Sequence, residues 1–153
     1  MKLVILWLIQ DLLTVFTGGR MQIPGIFLMG IVYKIVQKKL LNDINEDETW
    51  AIWSGFAGGI FWDLRWVGVP GFFTIGYVGV ILIVIQVLRA LPPQTEDSLT
   101  WIIIFVMLEL TQILPPLVPV IILGGTMGIR FFGIQQLYAL PVIIICLLKI
   151  KGK

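Results

Sequence analysis

The sequence predicts an all-α, polytopic membrane protein: six transmembrane helices joined by short loops, forming one domain over residues 1–153. Three observations predict it. Hydrophobic residues make up 58% of the chain and charged residues 13%, with a mean hydropathy of +0.99, which is more apolar than a soluble domain sustains. Apolar runs recur along the whole length, and the breaks between them leave no room for a separate soluble domain. The basic residues also segregate. With the N-terminus inside, Lys2, Lys34, Lys38, Lys39, Arg89, Lys149, Lys151 and Lys153 fall on the inner face and Arg20, Arg65 and Arg130 on the outer. The positive-inside rule then gives an N-in, C-in topology with an even number of spans.

The first span is expected over residues 3–16, closed by Thr17-Gly18-Gly19-Arg20. Gln10 and Asp11 interrupt it and no Ala-x-Ala site follows, so it reads as a retained span and not a cleaved signal. The second, 24–41, opens on Pro24, a residue suited to a first helical turn. Its closeness to the first makes the two antiparallel neighbours. A polar stretch from Asn42 to Glu48 follows, in which Asn45 with Glu48 resembles a capping box for the third span.

That third span, 49–64, is short, with Trp50 and Trp53 marking one interface and Trp62 and Trp66 the other. Trp50 to Trp66 covers roughly 24 Å of helix against a hydrocarbon core about 30 Å thick, so either the membrane thins or protein shields this helix. A turn through Pro70-Gly71 leads to the fourth span, 72–91, which carries Gly76 and Gly79 on one side and ends at Pro92-Pro93. The fifth, 99–122, contains Pro115, Pro116 and Pro119, which are expected to kink or break it. The sixth covers 129–148, bent at Pro141, before a lysine-rich tail.

Within the third span Gly55, Gly59 and Asp63 are spaced four apart with Gly58 beside them, a smooth helical face ending in a carboxylate. Small residues let membrane helices approach closely, either within the chain or against another protein. Asp63 stands at a helix C-terminus, where a carboxylate is disfavoured, and so needs a partner. The candidates are an outer arginine (Arg20, Arg65 or Arg130), the N–H groups near Pro70-Gly71, or another protein. Three further ionisable residues, Asp11, Lys34 and Glu109, lie inside spans, where charge is costly and functional by default. By helix rise they occupy similar depths, so Lys34 either pairs with Asp11 or Glu109 or snorkels to the inner interface. Gln10 and Gln112 are expected to add hydrogen bonds between helices.

The chain has no histidine and a single cysteine, Cys146, which excludes an internal disulfide and removes the commonest general base and metal ligand. No Walker-type phosphate loop or nucleophile elbow is present. The expectation is a non-enzymatic protein without cofactor, metal or nucleic-acid partner, embedded in the lipid bilayer.

Total length, six short spans, the proline-opened second span and Gly55-x-x-Gly58-Gly59-x-x-x-Asp63 before a turn and a glycine-containing fourth span resemble the rod shape-determining protein MreD family. The resemblance implies a non-catalytic component of the bacterial cell-elongation machinery in the inner membrane. Its implied partners are a bitopic MreC-like protein, an MreB-like filament, and RodA and penicillin-binding protein synthases of peptidoglycan. It implies a helix arrangement similar to the substrate-binding subunits of energy-coupling-factor vitamin transporters. It also points to Gly55, Gly58, Gly59 and Asp63, and further to Pro70 and Gly71, as positions that shape a helix contact and an outer surface. The rival reading is a vitamin-binding subunit of that transporter type. Against it, the first span lacks the Ala-x-x-x-Ala contact that such subunits resemble one another in, and the outer turns are too short to cover a ligand.

Overall fold

A computed structural model of the chain describes residues 2–16, 25–40, 48–91, 98–123 and 129–151. The described residues are all-helical and contain no strand. In order they form α1 (Lys2–Phe16), α2 (Ile26–Leu40), α3 (Thr49–Trp62), a π-helical turn (Asp63–Val67), α4 (Phe72–Ala90), α5 (Ser98–Leu123) and α6 (Ile129–Lys151). Two of these, α4 and the Thr100–Ile122 part of α5, are long and apolar enough to cross a membrane by length and composition. Helices α1, α2 and α3 have 15, 15 and 14 residues, each falling short of a hydrocarbon core about 30 Å thick at roughly 1.5 Å per residue.

Helices α2 and α4 form the centre. Along α2, Phe27, Leu28, Met29, Ile31, Val32, Ile35 and Val36 are buried around most of the circumference. α4 buries a broad face that includes Phe73, Tyr77, Val80, Ile81 and Val84. α3 and α5 pack on the two sides of α4, while α1 rests mainly on α2 and α6 on α5. The close approach of α4 to α5 depends on Gly76, where an added Cβ would lie 2.6 Å from the Pro115 Cα.

Helix α5 is continuous through Pro115, Pro116 and Pro119, so of the kink or break expected there the break does not occur, and α6 is continuous through Pro141. Pro115 removes the N–H that the Thr111 carbonyl would accept, and neighbouring helices make such losses tolerable in apolar surroundings. Gly25 lies against that carbonyl: a Cβ there would be 3.4 Å from the oxygen.

The start of α3 also differs from expectation. Glu48 is the residue preceding the first turn and makes no side-chain cap; its carboxylate instead accepts from Arg89 Nη2 at 2.9 Å, at the far end of α4. Asn45, the other half of the expected capping box, and Pro24 lie outside the described residues.

Candidate functional site

The glycine face of α3 is used within the chain. A Cβ on Gly59 would stand 2.6 Å from the Thr74 Cα, backbone against backbone. One on Gly55 would run into the end of the Ile81 side chain, and one on Gly58 into the Phe27 ring. All three glycines are buried, so the face seats α4 and α2 and is not an exposed surface for another protein's helix.

At the end of that face the chain widens into the π turn, closed by the Gly68 N–H donating to the Asp63 carbonyl at 2.7 Å with Gly68 at φ 75°. The reversal brings the N-terminus of α4 beside Asp63, which is 0% exposed. The Gly71 N–H donates to Oδ2 (2.8 Å), the Phe73 N–H to Oδ1 (2.8 Å), and the Thr74 N–H and hydroxyl to Oδ2 (3.1 and 2.7 Å). Gly71, at φ 118°, occupies the cap position and has no side chain to fill it; Asp63 supplies the cap from eight residues earlier. The carboxylate therefore leaves the negative end of one helix for the positive end of the next, where both dipole and orphan N–H groups favour it. Of the partners considered for Asp63, the N–H groups after Pro70 are the ones found. Pro70 itself is exposed at the tip of the turn.

Arg65, released from Asp63, reaches α1: its Nε donates to Asp11 Oδ1 at 3.3 Å, and the Trp66 indole Nε1 donates to the same oxygen at 3.0 Å. The guanidinium also lies 5.9 Å from the centre of the Trp66 ring. Next to Asp11, Gln10 is 1% exposed; its Oε1 accepts the Phe27 N–H at 3.0 Å and its Nε2 donates to the Tyr77 hydroxyl at 3.1 Å. One amide thus ties α1 to α2 and α4. The signal for Gln10 is a polar residue in an apolar run; nothing local marks Tyr77 as the partner of Gln10, Trp66 as that of Asp11 or Thr74 as that of Asp63.

Asp11 and Lys34 meet different partners. Lys34 Nζ lies 5.7 Å from the centre of the Trp50 ring, with Lys38 Nζ 5.4 Å from the same ring. Asp11 is bound at Trp66, and Gln10 beside it lies against Phe27, about 10 Å of helix from Lys34, so no Lys34–Asp11 pair forms. The reason is that α1 runs beside the outer part of α3, with Trp7 edge-on to Phe61 at 6.2 Å. Glu109 is half-buried on α5 and hydrogen-bonded by Gln136 of α6. Gln112 is buried and donates to its neighbour Thr111 Oγ1 at 2.6 Å. Arg20 lies outside the described residues, as does the Arg130 side chain.

Between α1 and α3 there is an apolar slot of about 390 Å³, floored by Ala57 and Gly58 and walled by Val4, Trp7, Leu8 and Phe61. Ser54 is the one hydroxyl on its lining. Among the described residues no group of three His, Cys, Asp or Glu side chains converges as a metal site. What the geometry performs is positioning, through a carboxylate cap, an amide tie and an ion pair gathered at one end of the helices. Comparison with family models, with curated proteins and with solved structures found no match to the chain.

Proposed function

We propose that this chain is a multi-pass membrane scaffold, with all six helices in the bacterial inner membrane and both termini on the cytoplasmic side. The observation that carries the membrane reading is inverted polarity. On α1 the buried residues include Gln10 and Thr14, each 1% exposed, while Ile5, Ile9, Leu12 and Phe16 of the opposite face are exposed. The same inversion pairs buried Asp63, Thr74, Thr111 and Gln112 with exposed Phe61, Leu64, Ile75 and Ile121. A fold in water would lose stability on both counts; one in lipid gains by sequestering its polar groups and loses nothing by exposing leucine. The ends of the helices support the orientation, with Lys34, Lys38 and Arg89 grouped at the Trp50 end and Arg65 at the other.

Docking of other membrane helices is the activity this arrangement suits. Of the residues that carry the resemblance to the MreD family, Gly55, Gly59 and Asp63 join α3 to α4 and Gly58 seats α3 on α2. The outward stripe of α1, from Ile5 to Phe16, is then the surface left for a bitopic MreC-like partner of the cell-elongation complex, with MreB-like filaments and peptidoglycan synthases beyond it.

The test is affinity capture of the tagged chain from gently solubilised native membranes, identifying both proteins and small molecules retained. A bitopic protein recovered with the wild type and lost on Leu12→Ala/Phe16→Ala supports the scaffold. Recovery of ATPase subunits or a stoichiometric vitamin overturns it in favour of a transporter's binding subunit.

A further inference from the structure

The outward side of α5 is hydrocarbon with one carboxyl set into it. Ile102 and Val106 are exposed, and Glu109, one turn on from Val106 along the same stripe, is half-buried beside α6. Its partner there is Gln136, which is itself only partly covered. On α6 the flanking residues Gly133 and Leu137 are exposed. Gly133 differs from the glycines of α3. A Cβ on Gly58 or Gly59 would run into a neighbouring helix, whereas one on Gly133 would meet nothing within 4 Å among the described residues. That glycine seats no helix of this chain.

Glu109 lies about 14 Å of helix from Thr100 and about 20 Å from Ile122, the two ends of the apolar part of α5. An ionisable side chain at such depth is costly unless it meets a partner of opposite charge, and Gln136 is neutral. The ion pairs between described residues join Asp11 to Arg65 and Glu48 to Arg89, and neither engages Glu109.

We propose that this α5–α6 face is the docking site for a membrane helix of another protein that carries a lysine or arginine near its middle, its cation on Glu109 and its backbone close to Gly133. The inference rests on the membrane-scaffold reading above and concerns a surface other than the outward stripe of α1. Charge complementarity selects this occupant. A lipid tail would cover Ile102 and Val106 equally well but offers nothing to a carboxyl. A second copy of this chain, docked face to face about a two-fold axis, would set Glu109 against Glu109. A basic side chain at the same depth is as costly alone as Glu109 is, so each removes the other's penalty on meeting. The exposed glycine serves the same contact, since small residues let membrane helices approach closely enough for side chains to bond across them.

Energy transfer between the labelled full chain and host transmembrane peptides, in vesicles of phosphatidylcholine, tests this. The hosts are leucine-alanine helices identical except for lysine, glutamine or leucine at the centre. The lysine host is expected to bind about ten-fold more tightly than the leucine host, the scale of a hydrogen bond to a charged group, and more tightly than the glutamine host. Glu109→Gln is expected to bring the lysine host down to the level of the glutamine host. Gly133→Leu, whose new side chain points into open space, is expected to weaken the lysine host with the helical circular-dichroism signal unchanged. Leu12→Ala/Phe16→Ala on α1 is expected to leave its binding as it was. Equal binding of the lysine and glutamine hosts overturns the proposal, as does undiminished binding of the lysine host by Glu109→Gln or by Gly133→Leu. So does its loss in the α1 variant, or energy transfer between two labelled copies of the chain that Glu109→Gln abolishes. Carbonate extraction of native membranes separates the two layers of argument: a chain that stays in the membrane yet prefers no host sinks this site alone, and one that is extracted sinks the membrane reading as well.

Discussion

Asp63 Oδ2 receives both the N–H and the hydroxyl of Thr74, at 3.1 and 2.7 Å, beside the close approach of Gly59 to the Thr74 backbone. The cap and the glycine contact are therefore one device: Gly59 lets Thr74 come close enough for Asp63 to reach it. Removing either part is expected to loosen the other.

Asp63→Asn keeps the shape and removes the charge, leaving an amide nitrogen facing N–H donors. Since hydrogen bonds to a charged group contribute about 1.5–3 kcal/mol and orphaned buried donors cost about 1–3, a loss of about 3 kcal/mol is expected. Thr74→Val removes the hydroxyl bond alone and is expected to cost about 1.5 kcal/mol. Reversible unfolding in mixed micelles measures both, and the double variant is expected to lose less than the sum because the groups share one oxygen.

Alanine at the glycines is expected to rank by what the new Cβ meets. Gly59→Ala and Gly76→Ala press on backbone atoms, at 2.6 Å from the Thr74 Cα and the Pro115 Cα, and are expected to cost about 2–3 kcal/mol. Gly55→Ala meets the flexible end of Ile81 and is expected to cost less. Gly79→Ala, 3.8 Å from Leu114, is expected to be neutral or to stabilise by a fraction of the ~1 kcal/mol that alanine gains in a helix. The order of melting temperatures checks the series, and a cost at Gly79 equal to that at Gly59 would refute it.

Gln10→Leu leaves the Phe27 N–H buried without an acceptor and is expected to destabilise the α1 attachment by about 2 kcal/mol. Gln10→Glu keeps the acceptor and is expected to be milder. Hydrogen exchange on α1 separates local release of this helix from global unfolding.

The Asp11–Arg65 pair is expected to contribute little. The Arg65 side chain is 55% exposed and Asp11 16%, so a double-mutant cycle is expected to return about 0.2–1 kcal/mol. Trp66→Phe, which removes the 3.0 Å bond to the same oxygen, is expected to cost about 1 kcal/mol.

Local periodicity carries part of this architecture. The all-helical class, the glycine stripe ending in Asp63 and the breaks near Pro70 and after Leu91 follow from residues within a few turns of one another. So does the unusual status of Gln10, a polar group in an apolar run, and with it an expectation of hydrogen bonds between helices. Partners were decided elsewhere. Whether Asp63 met an arginine or the N–H groups of α4 depended on how the chain reversed through a π turn, and that reversal is set by packing of α3 on α4. Asp11 meets Trp66 and Arg65 while Lys34 lies at the Trp50 ring, because helix rise counts distance along one helix and does not say which neighbour a side chain meets. Pro115 and Pro116 point to a kink or a break, and α5 stays unbroken where it is packed against Gly76 and Gly25. In each case the deciding atoms lie on another helix, and a one-dimensional pattern records which residues need a partner without recording where the partner comes to rest.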